Sequence, residues 1–249
     1  VARGPWHASM RLALALVSAQ LRLATPAGLV EIDGWGAHAM RVRTARAQLQ
    51  DLPGALLRPG ADNKGSPTFG PAAAPRVLPR GLIQGDLRAD VDASGLVRFT
   101  EVSTGREVLR ETRKAWGDSA RLSVAAADEQ VFGFGEHEQA RLDRRGEAFD
   151  METCLEYRRS HGGEVCLPWL LGCSQRVRYG FLWNVPAYGR VNISQLEQGE
   201  RVTTWLAANA SQTDYFIAVP GPTRSAQAVF HQFADAVGHA PRLPGYAAG

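Results

Sequence analysis

The sequence predicts an all-β protein, an antiparallel β-sandwich followed by one C-terminal helix. Short segments in which apolar and polar residues alternate recur from residue 21 onward, as is typical of strands with one buried face. Turn pairs such as Ser94-Gly95 and Thr104-Gly105 separate these segments as in a β-meander. A single stretch, 223–237, repeats its apolar residues at the period of a helix.

The strands are predicted where alternation or a short apolar run is bounded by turn residues. In chain order they are 21–23, 29–32, 39–43, 81–91, 96–101, 122–124, 131–132, 167–171, 179–183, 190–193, 202–206 and 215–219. Segment 58–80 interrupts this order with five prolines and three glycines, which predicts a surface loop or a partly disordered insertion. In the predicted helix Thr223 is the expected N-cap and Gly238 the expected stop.

These elements predict one domain over 21–237, with the Pro/Gly-rich loop at 58–80. Residues 1–20 form an N-terminal extension that either precedes or continues into the first strand. The apolar run 12–17 in this extension is too short for the core of a signal peptide, an alternative with less support. Residues 238–249 are expected to be a linker.

Composition excludes several classes of protein. The 249 residues carry a net charge of +3, but Lys64 and Lys114 are the only lysines and the arginines are dispersed, so no nucleic-acid face is predicted. No apolar run approaches the roughly 18 residues that span a membrane, so no membrane partner is expected. The compartment is left open, with a cytoplasmic protein preferred to a secreted one.

The three cysteines predict neither a zinc site nor a disulfide framework. They are odd in number and form no CxxC pair, so buried thiols are the favoured reading and no metal or cofactor is expected. The alternative is one disulfide bridge, either Cys154–Cys166 or Cys166–Cys173.

Seven segments, in the same order, resemble the N-terminal region of family 31 glycoside hydrolases, the α-glucosidase and α-xylosidase type. They are IDGWG with MRVR (32–43), VFGFGE (131–136), LDRRG with FDM (142–151), LPWLL (167–171), RYGFLWN (178–184), TDYF (213–216) and GHAPRLP with AG (238–249). Each segment alone is weak evidence, and their common order carries the resemblance. The details around 149–168, 184–186 and 238–241 are most similar to bacterial α-xylosidase-like members.

The resemblance implies a galactose mutarotase-like supersandwich, with 238–249 leading into a (β/α)₈ catalytic barrel. Such enzymes hydrolyse α-linked glucosides or xylosides with retention, using two carboxylates roughly 5–5.5 Å apart. In the family both carboxylates belong to the barrel, so no catalytic residue is assigned to this chain and it is expected to be inactive alone. The apolar docking surface for the barrel is expected near Leu243, Tyr246 and the helix 223–237.

Asp150 is the one substrate-binding residue that the resemblance implies. In the family an aspartate from this loop, here Phe149–Gly163, reaches the barrel mouth and shapes the sugar pocket. A carboxylate suits that role because it accepts strong hydrogen bonds. The alternative is a solvated aspartate at the end of a strand.

We predict structural roles for the other candidate site residues. Glu136-His137-Glu138 is a dense titratable cluster without the HExxH spacing of a metal site, so a turn after a strand is preferred. His161 lies in a Gly-rich loop and lacks the Asn-His motif of sugar mutarotases. Trp169, Trp183 and Trp205 fall within strand patterns, which favours the core over sugar stacking. A stand-alone carbohydrate-binding or interaction module is the alternative function.

Overall fold

A computed structural model describes residues 20–57, 74–116, 119–126, 129–136, 141–151, 165–194 and 200–239. Within them the chain forms two antiparallel sheets and one α-helix, which confirms the predicted all-β sandwich. The more specific likeness to the galactose mutarotase sandwich stays a prediction. The strands are β1 Gln20–Thr25, β2 Gly28–Gly34, β3 Ala39–Ala45, β4 Arg76–Leu78, β5 Gly81–Gln84, β6 Leu87–Val91, β7 Val97–Glu101, β8 Glu107–Ala115, β9 Ser119–Ala126, β10 Gln130–Glu136, β11 Ala148–Asp150, β12 Val165–Cys173, β13 Arg178–Trp183, β14 Gly189–Ile193, β15 Arg201–Ala208 and β16 Gln212–Ala218.

The strands form two sheets, and each sheet combines strands from distant parts of the chain. The seven-stranded sheet runs β1-β2-β3-β16-β13-β12-β10, and the nine-stranded sheet runs β11-β14-β15-β9-β8-β7-β6-β5-β4. The chain therefore crosses from one sheet to the other several times, and strands far apart in sequence, such as β3 and β16, become partners. The sequence pattern alone does not define this pairing.

The main core lies between the two sheets and is rich in aromatic rings. In β15 the side chains alternate between buried and half-buried, which places Trp205 fully inside. Its indole packs against Phe181 at 5.5 Å, Trp183 at 6.0 Å and Phe134 at 5.8 Å between ring centroids. Offset aromatic contacts of this kind add stability beyond the buried area.

A third layer covers the outer face of the seven-stranded sheet. The helix α1, Ala226–Val237, buries Val229 and Ala236 against this face. Trp169 of β12 lies between Phe230 and Phe233, with centroid distances of 5.0 and 4.9 Å. All three tryptophans considered as sugar platforms, Trp169, Trp183 and Trp205, are therefore core residues, as predicted.

The helix starts three residues later than predicted. Thr223 lies in a preceding 3₁₀ turn, and its hydroxyl donates to the carbonyl of Pro220 instead of capping a helix. Ser225 is the N-cap, and its Oγ accepts from the amide of Ala228 at 3.1 Å. The predicted stop at Gly238 is confirmed, because this residue has φ 100° and its amide bonds to the carbonyl of Ala234.

Residues 46–57 cross the same outer face as a strap. Gln50 and Gln212 exchange two hydrogen bonds of 2.8 and 2.9 Å, and Asn184 Oδ1 accepts from the amide of Ala55 at 2.8 Å. The strap ends at the helix, where the amide of Leu57 donates to the carbonyl of Ala236. The buried amide of Asn184 thus holds the strap in place.

Three predictions are corrected by these elements. Strand β4 falls inside the predicted loop 58–80, since Arg76–Leu78 pairs with β5 at the end of its sheet, where proline neighbours are tolerated. Residues 58–73 lie outside the described part of the chain. The predicted burial of the thiols is wrong for Cys166 and Cys173, which are both only half-buried. The alternative Cys166–Cys173 bridge does not form, because the two residues stand about 23 Å apart along β12. Cys154 lies outside the described residues, so its pairing is not tested.

Candidate functional site

A glycine-flanked bulge distorts the strand that carries the VFGFGE motif. The pairing of β10 with β12 shifts between Gly133 and Gly135, and Phe134 between them adopts φ 70°. A Cβ at Gly135 would lie 2.0 Å from the carbonyl oxygen of Val165, and one at Gly133 would lie 2.5 Å from that of Trp169. The motif therefore needs glycine at both positions for close approach to β12.

The bulge turns Phe134 into the core, where it connects the two sheets. Its ring is 1% exposed and stacks on Phe149 of β11 at 5.3 Å. The guanidinium of Arg144 also lies over the ring of Phe149, 5.6 Å from its centroid. These contacts fix the short strand β11, and with it the residue that follows Phe149.

That residue, Asp150, stands at the exposed end of β11. It is directly opposite Arg190 of β14 in the strand register, and Arg190 Nη1 lies 3.4 Å from Asp150 Oδ1. Both side chains are about half exposed, so the ion pair is screened by water and contributes little to stability. Its carboxylate keeps lone pairs for a ligand.

Three strand ends meet around Asp150. Its backbone carbonyl lies 4.0 Å from the sulfur of Cys166, at the start of β12. The end of β10 is beside the same point, because Glu136 pairs with Val165. Segments 137–140 and 152–164 begin at these strand ends, and both lie outside the described residues, together with His137, Glu138 and His161.

At this edge the described residues Asp150 and Arg190 offer groups that can bind a polar ligand. Retaining hydrolysis needs a nucleophile and a proton donor on opposite sides of the anomeric carbon. At the described part of this edge the half-exposed carboxylate of Asp150 lies beside a guanidinium, and its oxygens can accept hydrogen bonds from hydroxyl groups. Because its exposed ion pair contributes little to stability, Asp150 remains a candidate for ligand binding.

Sequence reasoning missed Arg190 and the bulge at Phe134. The alternation in 189–193 puts Arg190 on the outer face, but its partner depends on the register with β11, which no local pattern gives. The pair of glycines around Phe134 was the available signal, since isolated glycines in a strand indicate a bulge or close backbone approach.

The described residues show no group of three or more His, Cys, Asp or Glu side chains that would hold a metal ion. In the same part of the chain no helix is both long and apolar enough to cross a membrane.

Comparison with known proteins places this fold beside α-xylosidases. Alpha-xylosidase A of Aspergillus niger is 29% identical over 134 residues, which are 53% of this chain and 16% of that protein. A GH31 α-xylosidase from a soil metagenome, solved with xylose, matches 94% of the chain with a TM-score of 0.72 and 24% identity. A xylosidase from Aspergillus niger matches 94% with a TM-score of 0.71 and 21% identity. No family model matches the sequence.

Other enzymes share the fold at lower similarity. A GH31 dextranase of Flavobacterium johnsoniae matches with a TM-score of 0.63 and 13% identity. The chain spans 36% and 34% of the two xylosidase structures, so each of those proteins continues well beyond the part compared. The fold is that of the N-terminal domain of such enzymes.

Proposed function

We propose that this chain is the N-terminal domain of a retaining family 31 α-glycosidase, and that its substrate is an α-xyloside in preference to an α-glucoside. The observation that carries the proposal is the match of 94% of the chain to a GH31 α-xylosidase structure. The order of the seven motifs in the sequence supports it independently of the fold. The preference for xylose rests on the 29% identity to Alpha-xylosidase A of Aspergillus niger over 134 residues, and on the two xylosidase structures with TM-scores of 0.72 and 0.71.

In this proposal the domain supports a catalytic barrel and lends the Asp150 edge to the substrate site. Large apolar side chains exposed near this edge fit a docking surface, since Val165 and Leu167 of β12 are 43% and 48% exposed. Phe230 of the helix is 47% exposed and contacts Trp169 in the same strand. Leu243 and Tyr246, expected to extend this surface, lie outside the described residues.

A stand-alone carbohydrate-binding module has less support. Such modules stack sugars on exposed aromatic rings, whereas Trp169, Trp183 and Trp205 are at most 7% exposed. The burial of these indoles excludes these three residues as sugar-stacking platforms.

The 249-residue chain alone should not hydrolyse glycosides, because the proposal assigns both catalytic carboxylates to the barrel. Purified chain is assayed with p-nitrophenyl α-xyloside and α-glucoside, with the full-length protein as the positive control. Turnover that persists through purification and disappears when Asp150 is replaced would contradict this assignment.

In the full-length enzyme, Asp150→Ala should lower kcat/KM by roughly tenfold or more, which corresponds to about 1.4 kcal/mol. The melting temperature should change little, because the carboxylate is half exposed and its ion pair with Arg190 is screened. Kinetics on p-nitrophenyl α-xyloside and thermal unfolding are measured on the same preparations.

Asp90→Ala is the matched control, since Asp90 is also a strand aspartate paired with an exposed arginine, Arg88. Its kinetics should equal those of the unmodified enzyme. If Asp150→Ala instead keeps full activity and lowers the melting temperature, Asp150 is a structural strand-end residue.

A further inference from the structure

A cleft of about 830 Å³ opens at the other end of β12 from Asp150. It lies where the turn between β12 and β13 meets the turn between β7 and β8, so both sheets contribute to its walls. Four arginines line it, and they are Arg106, Arg145, Arg176 and Arg178. Pockets for small molecules commonly have volumes of roughly 300–1,000 Å³.

The carboxylates of the cleft already have partners of their own. Glu107 forms ion pairs with Arg98 at 3.3 Å and with Arg110 at 2.8 Å, on the outer side of β8. Glu129, at the floor, is 7% exposed and accepts a hydrogen bond of 3.0 Å from the hydroxyl of Tyr179.

The hydroxyl of Tyr179 stays protonated and is the donor in this hydrogen bond. Burial, and then the charge of Glu129, raise the pKa of Tyr179 well above its ordinary value, so its hydroxyl remains a donor. The lone pair of Glu129 that faces Tyr179 is thus occupied at neutral pH.

Three of the guanidinium groups form no ion pair with a described carboxylate. Arg106 Nη1 donates to the carbonyl of Arg176 at 3.3 Å, and Arg178 Nη1 donates to the carbonyl of Arg224 at 3.1 Å. Arg145, by contrast, is paired with Asp143 at 2.5 Å. Among the described residues no carboxylate lies within ion-pair distance of Arg106, Arg176 or Arg178.

We propose that this cleft binds a small ligand through an oxyanion, a carboxylate or a phosphate group. A guanidinium presents planar paired donors that match both groups, and its remaining N–H donors point to no acceptor of opposite charge here. This site goes beyond the proposed glycosidase function and does not depend on it.

The test is calorimetric titration of the protein at low ionic strength with glucuronate, inorganic phosphate and glucose. Glucose is the neutral match of glucuronate and lacks the carboxylate. At least one of the two anions should bind saturably, and the tighter of them identifies the class of ligand. The heat measured on injecting glucose should be the same for every variant.

The double variant Arg176→Gln/Arg178→Gln should weaken anion binding at least tenfold. Arg121→Gln is the matched control, because Arg121 is an exposed strand arginine outside the cleft, and it should bind like the unmodified protein. Arg106→Gln gives an independent test should the double variant not fold, and it too should weaken binding. Equal affinity in the cleft variants, or no saturable binding of either anion, would overturn the proposal.

Discussion

Replacing Lys114 with alanine is expected to lower the free energy of unfolding by about 3–5 kcal/mol. Lys114 lies between the sheets, where its side chain is 1% exposed and its Nζ is 2.7 Å from Glu111 Oε2. The ammonium also donates to Thr44 Oγ1 at 3.0 Å and to the carbonyl of Gly95 at 3.1 Å, so all its donors are used. The alanine variant leaves a fully buried carboxylate without its cation.

The partners of Glu111 cannot replace that cation. Tyr215 donates its hydroxyl to Glu111 Oε1 at 2.8 Å, and the amide of Val97 donates to Oε2 at 2.7 Å. Burial, and then the charge of Glu111, raise the pKa of Tyr215 well above its ordinary value, so this hydroxyl stays protonated. Both groups are neutral donors and leave the negative charge in place.

Chemical denaturation of the purified protein measures the loss, with Arg121→Ala as the surface control expected within about 0.5 kcal/mol of the unmodified protein. The double variant Lys114→Met/Glu111→Gln should recover part of the stability, because it removes both charges together. A loss below about 1 kcal/mol for Lys114→Ala would mean that water reaches Glu111 and that the network is not sealed.

The sequence predicts the layers of this fold well and the buried charges poorly. Alternation in β15 predicts that Trp205 is buried, and the apolar runs of β13 and β16 predict the burial of Phe181 and Tyr215. Lys114 lies in a polar segment, 110–114, that looks solvent-exposed by the same rule. Its burial follows from the register of β8 against β9, which shifts between Glu111 and Arg113.

The candidate site, like the fold, was predicted from the sequence only in part. The motif around Phe149 identifies Asp150, and the structure places it at an exposed strand end beside two other strand ends. In the proposed enzyme, what the aspartate faces would also depend on residues outside the described ranges and on the proposed barrel. The arginine cleft was not predicted, because Arg106, Arg145 and Arg176 lie in three separate turns that only the folded sandwich brings together.

On the outer face of the seven-stranded sheet, burial shifts the pKa of two carboxylates. Glu31 and Asp33 of β2 both pair with Arg43 of β3. Burial nevertheless raises the pKa of Glu31 and of Asp33 above their ordinary values, and the charge of Arg43 offsets this only in part. Desolvation therefore outweighs attraction at these two carboxylates.

Arg41 and Asp214 are the opposite case on the same face. Burial alone would lower the pKa of Arg41, but the hydrogen bonds and charge of Asp214, with those of Asp51, raise it. Arg41 Nε and Nη2 donate to the two oxygens of Asp214 at 3.0 and 2.6 Å, and the guanidinium lies 5.4 Å from the ring of Trp35. The Asp214 side chain is fully buried.

Asp214→Asn should therefore destabilise the protein by about 3–5 kcal/mol, because it leaves the guanidinium of Arg41 buried with only a weak, half-exposed partner in Asp51. Asp51 belongs to the strap, so the strap should loosen as well. Its amides at Ala55 and Leu57, which bond to Asn184 and Ala236, should exchange with deuterium faster than in the unmodified protein.

Asp90→Asn is the matched control, because Asp90 also binds an arginine through both oxygens, at 2.7 Å each, but in solvent. It should cost less than about 1 kcal/mol. The double variant Arg41→Met/Asp214→Leu should regain much of the loss from Asp214→Asn. If the two asparagine variants unfold at the same denaturant concentration, burial does not govern the strength of the Arg41–Asp214 pair, and the outer face must be hydrated beneath the strap.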